Sequence, residues 1–507
     1  MVTSQPPDPG KIAFVDQRKV GGRARSGALW SAAQILLRNG LALVITAILA
    51  RILSPQDYGL VGMVATLTAL LQVFANMGLS WATVRSAELN QKQVSGLFWI
   101  NLGVGLLAWG GMVAAAPLIA QFYDEPALKL IAIVSGTSFV FAGATVQPIA
   151  LMTRSMDFRR ISMIEVLALL SGASVSLFMA FTGAGYWALV AQAPVQAAVR
   201  LALCIRPSAI SISAPRWVPG LGAMISFGSL LVATEFLIFL ARNLDGILIG
   251  KYWGATELGY YNRAYFLMLL PSMLASGVLS QVMVSSLSSL QHDLDRLANA
   301  YRRALCMVAY VGTPIALGLG LSASVVVPLV YGPGWDKVVV LLEWLSIAGV
   351  TQPIFLTYGW LFTATGRVRT YLWVTLINSI ILGTVFYLTV PQGTIAIAKG
   401  YGLVMGLVLP LPVLWIAHRK SGIPFLLSLK YLAPIFILNA IMGTVVIITS
   451  AIFDDFLSNI SVFLIQVTFA IITYISLTPF LLPSILHNDA KNFIKKLNPK
   501  NLSIEKS

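Results

Sequence analysis

The chain has 507 residues, of which 57% are hydrophobic and only 10% charged. A soluble domain carries roughly 45–50% apolar and about 25% charged residues, so this composition excludes a cytosolic enzyme, a disordered protein and a secreted disulfide scaffold. The net charge of +15 reads as an orientation signal rather than a nucleic-acid footprint, because membrane proteins concentrate Lys and Arg in cytoplasmic loops.

In chain order, residues 1–27 are polar, basic and without an apolar run, which predicts a disordered cytoplasmic tail rather than a cleaved signal peptide. A ruler of about 20 apolar residues per spanning helix then predicts fourteen spans. They lie near 29–50, 58–80, 94–120, 128–151, 163–182, 186–205, 221–241, 260–285, 304–330, 339–363, 371–390, 396–417, 431–452 and 459–482. A second basic tail fills 484–507. With the N-terminus placed in the cytoplasm, the cytoplasmic segments hold 25 Lys and Arg and the opposite side 6. That asymmetry puts both termini inside. Cys204 and Cys306 form no CxxC or metal spacing, and the three histidines are far apart, so no disulfide, metal or cofactor is implied. No loop is long enough for an extramembrane catalytic domain.

The chain also repeats itself. Arg51-x5-Asp57-x-Gly59 follows the first span, and Lys251-x5-Glu257-x-Gly259 follows the seventh, 200 residues later. Gln147-Pro148-Ile149-x-Leu151 closes the fourth span and Gln352-Pro353-Ile354-x-Leu356 lies in the tenth, 205 residues later. Both echoes agree on one register, six spans apart. The expected fold is an all-α integral membrane protein with two parallel six-helix lobes and two appended C-terminal helices. The expected boundaries are 28–217 for the first lobe, 218–420 for the second and 421–483 for helices 13 and 14.

Ionisable residues within spans are costly and usually face a bundle interior or a cavity. Arg38 sits in the middle of the first span, with Ser31 and Gln34 on the same helix face. Thr68, Gln72, Asn76 and Ser80 form an i, i+4 stripe on the second. Glu235, Arg242 and Asp245 cluster on the seventh, and Arg263 lies early in the eighth. Arginines fit phosphate oxygens bidentately, which favours an anionic cargo. Arg51, Arg242 and Lys251 also fit a reading as interfacial residues that snorkel. Tyr58, Trp81, Tyr123, Trp187 and Trp335 fit an interfacial aromatic belt. Gly246-x3-Gly250-Lys251-Tyr252 departs from the P-loop pattern in spacing and lacks its Ser/Thr. Prolines interrupt many spans and suit a carrier with kinked, mobile helices.

Ala50-Arg51-Ile52-Leu53-Ser54-Pro55-x-Asp57-Tyr58-Gly59 resembles the polysaccharide transporter family, the Wzx-type flippases of the multidrug/oligosaccharidyl-lipid/polysaccharide exporter superfamily. Gln147-Pro148 followed by Arg154-x-Met156-x-Phe158-Arg159 resembles that family's fourth-span ending, and Gly183-x-Gly185-Tyr186-Trp187-Ala188-Leu189-Val190 its sixth-span opening. The resemblance implies a cargo, an oligosaccharide repeat unit on undecaprenyl pyrophosphate. It implies flipping between inner-membrane leaflets by alternating access, coupled to H+ or Na+. It further implies pathway partners, a polysaccharide polymerase and glycosyltransferases, besides the membrane lipids. It points to Arg38, Arg51, Arg242 and Arg263, with Gln34, Gln72 and Asn76, as cavity residues, and leaves Glu235 and Asp245 as coupling candidates. Helices 13 and 14 form a lipid groove in a related flippase. The alternatives are a drug or cation antiporter, which would favour membrane carboxylates, and a sugar polymerase or ligase, which would need a large outer loop.

Overall fold

The computed structural model describes residues 17–76, 83, 90–205, 213, 221–453 and 458–481. Among them it is all helical. α1 (Gln17–Ala50), α2 (Pro55–Asn76), α3 (Gln91–Tyr123), α4 (Ala127–Arg154), α5 (Phe158–Phe181) and α6 (Trp187–Ile205) lead to a long bent α7 (Leu221–Ser289). α8 (Leu294–Leu321), α9 (Ala323–Tyr331), α10 (Asp336–Ala364) and α11 (Val368–Thr389) follow. Then come α12 (Thr394–Leu403), α13 (Pro410–Ser421), α14 (Phe425–Phe453) and α15 (Asn459–Leu481). Eleven helical segments among the described residues are long and apolar enough to cross a membrane. α2 and the two arms of α7 complete a fourteen-helix architecture.

Helices are the natural outcome for such a chain. Lipid offers no partner to a backbone amide, so each segment must satisfy its own. The outer surface agrees with that solvent: Leu107 is 77% exposed and Phe480 84%. Helix starts are set by side chains that accept from the free amides. Asn90 and Gln93 form a reciprocal capping box at α3. Ser54 and Asp57 do the same at α2, where the Ser54 amide and hydroxyl donate to Asp57 Oδ2 at 2.9 and 2.7 Å. Asp157 and Asp293 accept from Arg160 and Arg296 amides at α5 and α8.

Several boundaries differ from the sequence expectation. α1 begins at Gln17, ahead of the boundary expected at 28, although Gly21, Gly22 and Gly27 lie in that stretch and helix propensity does not account for the extension. The predicted loop between spans seven and eight is helical, broken only at Gly254 with φ 80° and ψ −178°. That backbone geometry favours glycine, so one residue does the work of a loop. The predicted ninth span divides at Ser322 into α8 and the short α9. The twelfth carries a π-helical turn, Val404–Val408, ahead of Pro410.

The chain partitions into residues 1–262 and 263–507. In the first unit α3 and α4 pack closely through glycines. A methyl on Gly105 would come 2.5 Å from the Phe139 carbonyl oxygen, and one on Gly143 would overlap that of Asn101. Small residues let membrane helices approach in this way. In the second unit Gly402 and Gly406 seat the twelfth span against the carbonyls of Trp344 and Ile347 on α10.

Candidate functional site

In the first unit, Gln34 on α1 is half-buried and accepts a hydrogen bond from Ser162 Oγ on α5 at 3.0 Å. Arg38, one turn further along, is exposed. Arg51 is exposed in the turn between α1 and α2. Gln72 and Asn76 lie on α2, and Glu235 and Arg242 on the first arm of α7, with side chains outside the described residues. Ser80 and Trp81 also lie outside them. Thr68 turns its hydroxyl back onto the Val64 carbonyl at 2.9 Å.

Asp245 is the buried ionisable group among the candidates whose side chains are described. It is 6% exposed. Tyr261 Oη donates to Asp245 Oδ2 at 2.8 Å, and the Gly246 amide donates to Oδ1 at 2.9 Å. The pair joins the two arms of α7 across the Gly254 break. Gly246 and Gly250, noted for their P-loop-like spacing, serve packing instead. Leu258 of the second arm lies against both, and Met63 of α2 against Gly250.

Two polar clusters escaped the sequence reading. Arg154, counted there as a loop charge, is 5% exposed. Its Nη1 donates to the Thr83 carbonyl at 3.1 Å, while Thr83 Oγ1 donates to Gln147 Oε1 at 2.9 Å. The Gln-Pro motif of the fourth span thus anchors a buried network. Arg200 on α6 pairs with Glu165 on α5 at 2.5 Å. The signal was available: α5 and α6 form a hairpin, so residues equally far from its turn share a depth. Two belt candidates also moved inward, since Tyr58 and Trp335 are 6% and 2% exposed.

In the second unit, Arg263 is half-buried with its guanidinium 5.6 Å from the Phe266 ring centroid. Tyr331 Oη donates to its carbonyl at 3.2 Å. His418 is buried, with Nδ1 2.7 Å from the Leu414 carbonyl and Nε2 2.9 Å from Ser428 Oγ. It ties α13 to α14. An apolar cavity of about 570 Å³ opens between α8, α9, α14 and α15, lined by Tyr310, Gly318, Met442, Phe463, Gln466 and Tyr474 among others. No group of three His, Cys, Asp or Glu able to hold a metal occurs among the described residues.

The chain is 27% identical to the lipopolysaccharide biosynthesis protein WzxC of Escherichia coli, over 82% of this chain and 88% of the relative. It is 27% identical to the succinoglycan biosynthesis transport protein ExoT of Rhizobium meliloti, over 79% and 81%. The fold is similar to that of the lipid II flippase MurJ in an inward closed conformation, with TM-score 0.71 and 16% identity, covering 91% of this chain and 99% of that one. A family described as "Polysaccharide biosynthesis protein" matches residues 48–340, more than half of the sequence. The fourteen-helix protein belongs to this family, as a multi-pass membrane transporter rather than an enzyme.

Proposed function

We propose that the protein flips an undecaprenyl-pyrophosphate-linked oligosaccharide repeat unit from the cytoplasmic to the periplasmic leaflet of a bacterial inner membrane, by alternating access. The observation that carries this reading is the similarity to WzxC along 88% of its length. The 25 to 6 distribution of basic residues supports an orientation with both termini in the cytoplasm. Arg38, Arg51, Arg242 and Arg263 are the residues proposed to meet the pyrophosphate, with Gln34, Gln72 and Asn76 as polar neighbours. Asp245 and Glu235 are proposed to couple the cycle to H+ or Na+. The apolar cavity between α8, α9, α14 and α15 has the volume of a small-molecule site, about 300–1,000 Å³, and fits part of a polyprenyl chain.

Deleting the protein is expected to stop surface polysaccharide and to trap the lipid-linked repeat unit on the cytoplasmic face. Mass spectrometry of the accumulated lipid names the cargo. Normal polysaccharide with altered drug tolerance would overturn the reading in favour of an antiporter.

A further inference from the structure

In the first unit α6 carries a polar row along one face. Gln192, Gln196 and Arg200 stand four residues apart, so they share that face and advance about 6 Å per step. All three are half-buried. Gly172 of α5 sets their packing: a methyl there would come 2.8 Å from the Gln192 carbonyl oxygen and 3.1 Å from Gln196 Cβ. The aliphatic stems therefore rest on α5, while the residues stay partly open. No side-chain hydrogen bond within the described residues takes up either amide. At the inner end of the row, Arg200 Nη2 lies 2.5 Å from Glu165 Oε1 on α5. Glu165 follows Ser162 by one turn, and Ser162 Oγ donates to Gln34 of α1 at 3.0 Å. The polar surface thus runs over three helices of one unit.

Such a row does not face lipid. An amide without a partner, or an ion pair, is costly in hydrocarbon. The lipid-facing side of the same hairpin is apolar, with Phe178 and Phe181 69% and 72% exposed. The charge balance then identifies the class of ligand. A phosphate calls for an unanswered cation, and a cationic drug or metal ion for an unanswered carboxylate. Here Arg200 and Glu165 answer each other, which leaves two neutral amides that both donate and accept. Hydroxyl groups also do both. The ligand that matches this surface is neutral and polyhydroxylated.

We propose that Gln192 and Gln196 bind sugar hydroxyls of the lipid-linked cargo, with the Arg200–Glu165 pair closing the inner end of the row. The inference rests on the flippase reading above and assigns the sugar part of the cargo to residues apart from those proposed for its pyrophosphate. From Gln192 to Arg200 the row extends about 12 Å along the helix axis, so hydroxyls at successive depths find a partner as the sugar crosses.

The test uses the full-length protein purified in detergent and two probes: the lipid-linked repeat unit extracted from a deletion strain, and undecaprenyl pyrophosphate without sugar. Wild type must first restore polysaccharide export to that strain and bind the sugar-bearing lipid; failure there would count against the flippase reading and not against the row. Wild type is then expected to bind the sugar-bearing lipid more tightly than the bare one. Gln192→Met with Gln196→Met keeps side-chain length and removes the hydrogen-bonding groups. It is expected to weaken binding of the sugar-bearing lipid by about tenfold and to leave the bare lipid unaffected. Equal weakening of both lipids, or of neither, would overturn the proposal, as would wild-type affinity that ignores the sugar. A second measurement does not depend on that variant folding. In a chain with Cys204→Ala and Cys306→Ala, Gln196→Cys is expected to react with a hydrophilic maleimide, more slowly with the sugar-bearing lipid present and at an unchanged rate with the bare one. Equal protection by both, or by neither, would place the sugar elsewhere.

Discussion

Asp245 and Arg38 illustrate two ways a charged side chain can exist in a span. Asp245 is buried and doubly hydrogen-bonded; Asp245→Asn keeps its shape and its bond from Tyr261 and removes the titratable group, while its amide nitrogen cannot accept from the Gly246 amide. That variant is expected to reach the membrane but to export poorly, measured by complementation against an immunoblot; full export would overturn the coupling role. Arg38 is exposed on α1, so Arg38→Ala is expected to impair export while leaving insertion intact. Full complementation would sink its role in the cargo path. Arg200 and Glu165 behave differently. Arg200→Ala leaves a carboxylate without its partner and is expected to cost about 2–3 kcal/mol, read as a lower melting temperature in detergent. Arg200→Ala with Glu165→Ala should recover part of that loss. The sequence reading identified Arg38 and Asp245 because each interrupts an apolar run. It missed Arg154 because a basic residue at a span end looks like a loop charge, and only the position of Thr83 shows that its guanidinium turns inward.

At the scale of helices, glycine sets the closest approaches and therefore the most sensitive positions. Gly143 on α4 meets the Asn101 carbonyl on α3. Gly143→Leu is expected to destabilise by at least 1–3 kcal/mol through overpacking, seen as loss of folded protein in a detergent melting assay. Fourteen helices were legible because apolar runs of the right length have few other fates in a membrane. The breaks were less legible. Gly254 ends one arm of α7 and starts the next without a polar loop, and composition alone cannot distinguish such a glycine from one packed inside a helix, like Gly250. Ser322 breaks the predicted ninth span equally quietly, with no charge and no proline beside it.

For the whole molecule, the basic residues make a prediction that is independent of cargo. A reporter active only in the cytoplasm should be active when inserted at Ser155–Asp157 and silent at Asp124–Pro126; the reverse pattern would invert the proposed orientation. The duplication, read from a handful of residues, has a geometric counterpart: a methyl on Gly59 would overlap the Ala255 carbonyl oxygen, and one on Gly259 that of Pro55. The chain nevertheless divides into its two compact units at residue 262, within α7 and well past the start of the second copy.

That division has a consequence for how the protein is made. Helices insert in order as the ribosome delivers them, yet the first unit takes its last element from the second copy. The first six helices must therefore wait in the bilayer, with the Pro55 and Gly59 surface of α2 uncovered, until residues 255–262 emerge. A nascent chain stopped at residue 217 exposes that surface to quality-control proteases. One stopped at residue 290 has covered it, and pulse-chase decay of the two truncated products should show the shorter one cleared first.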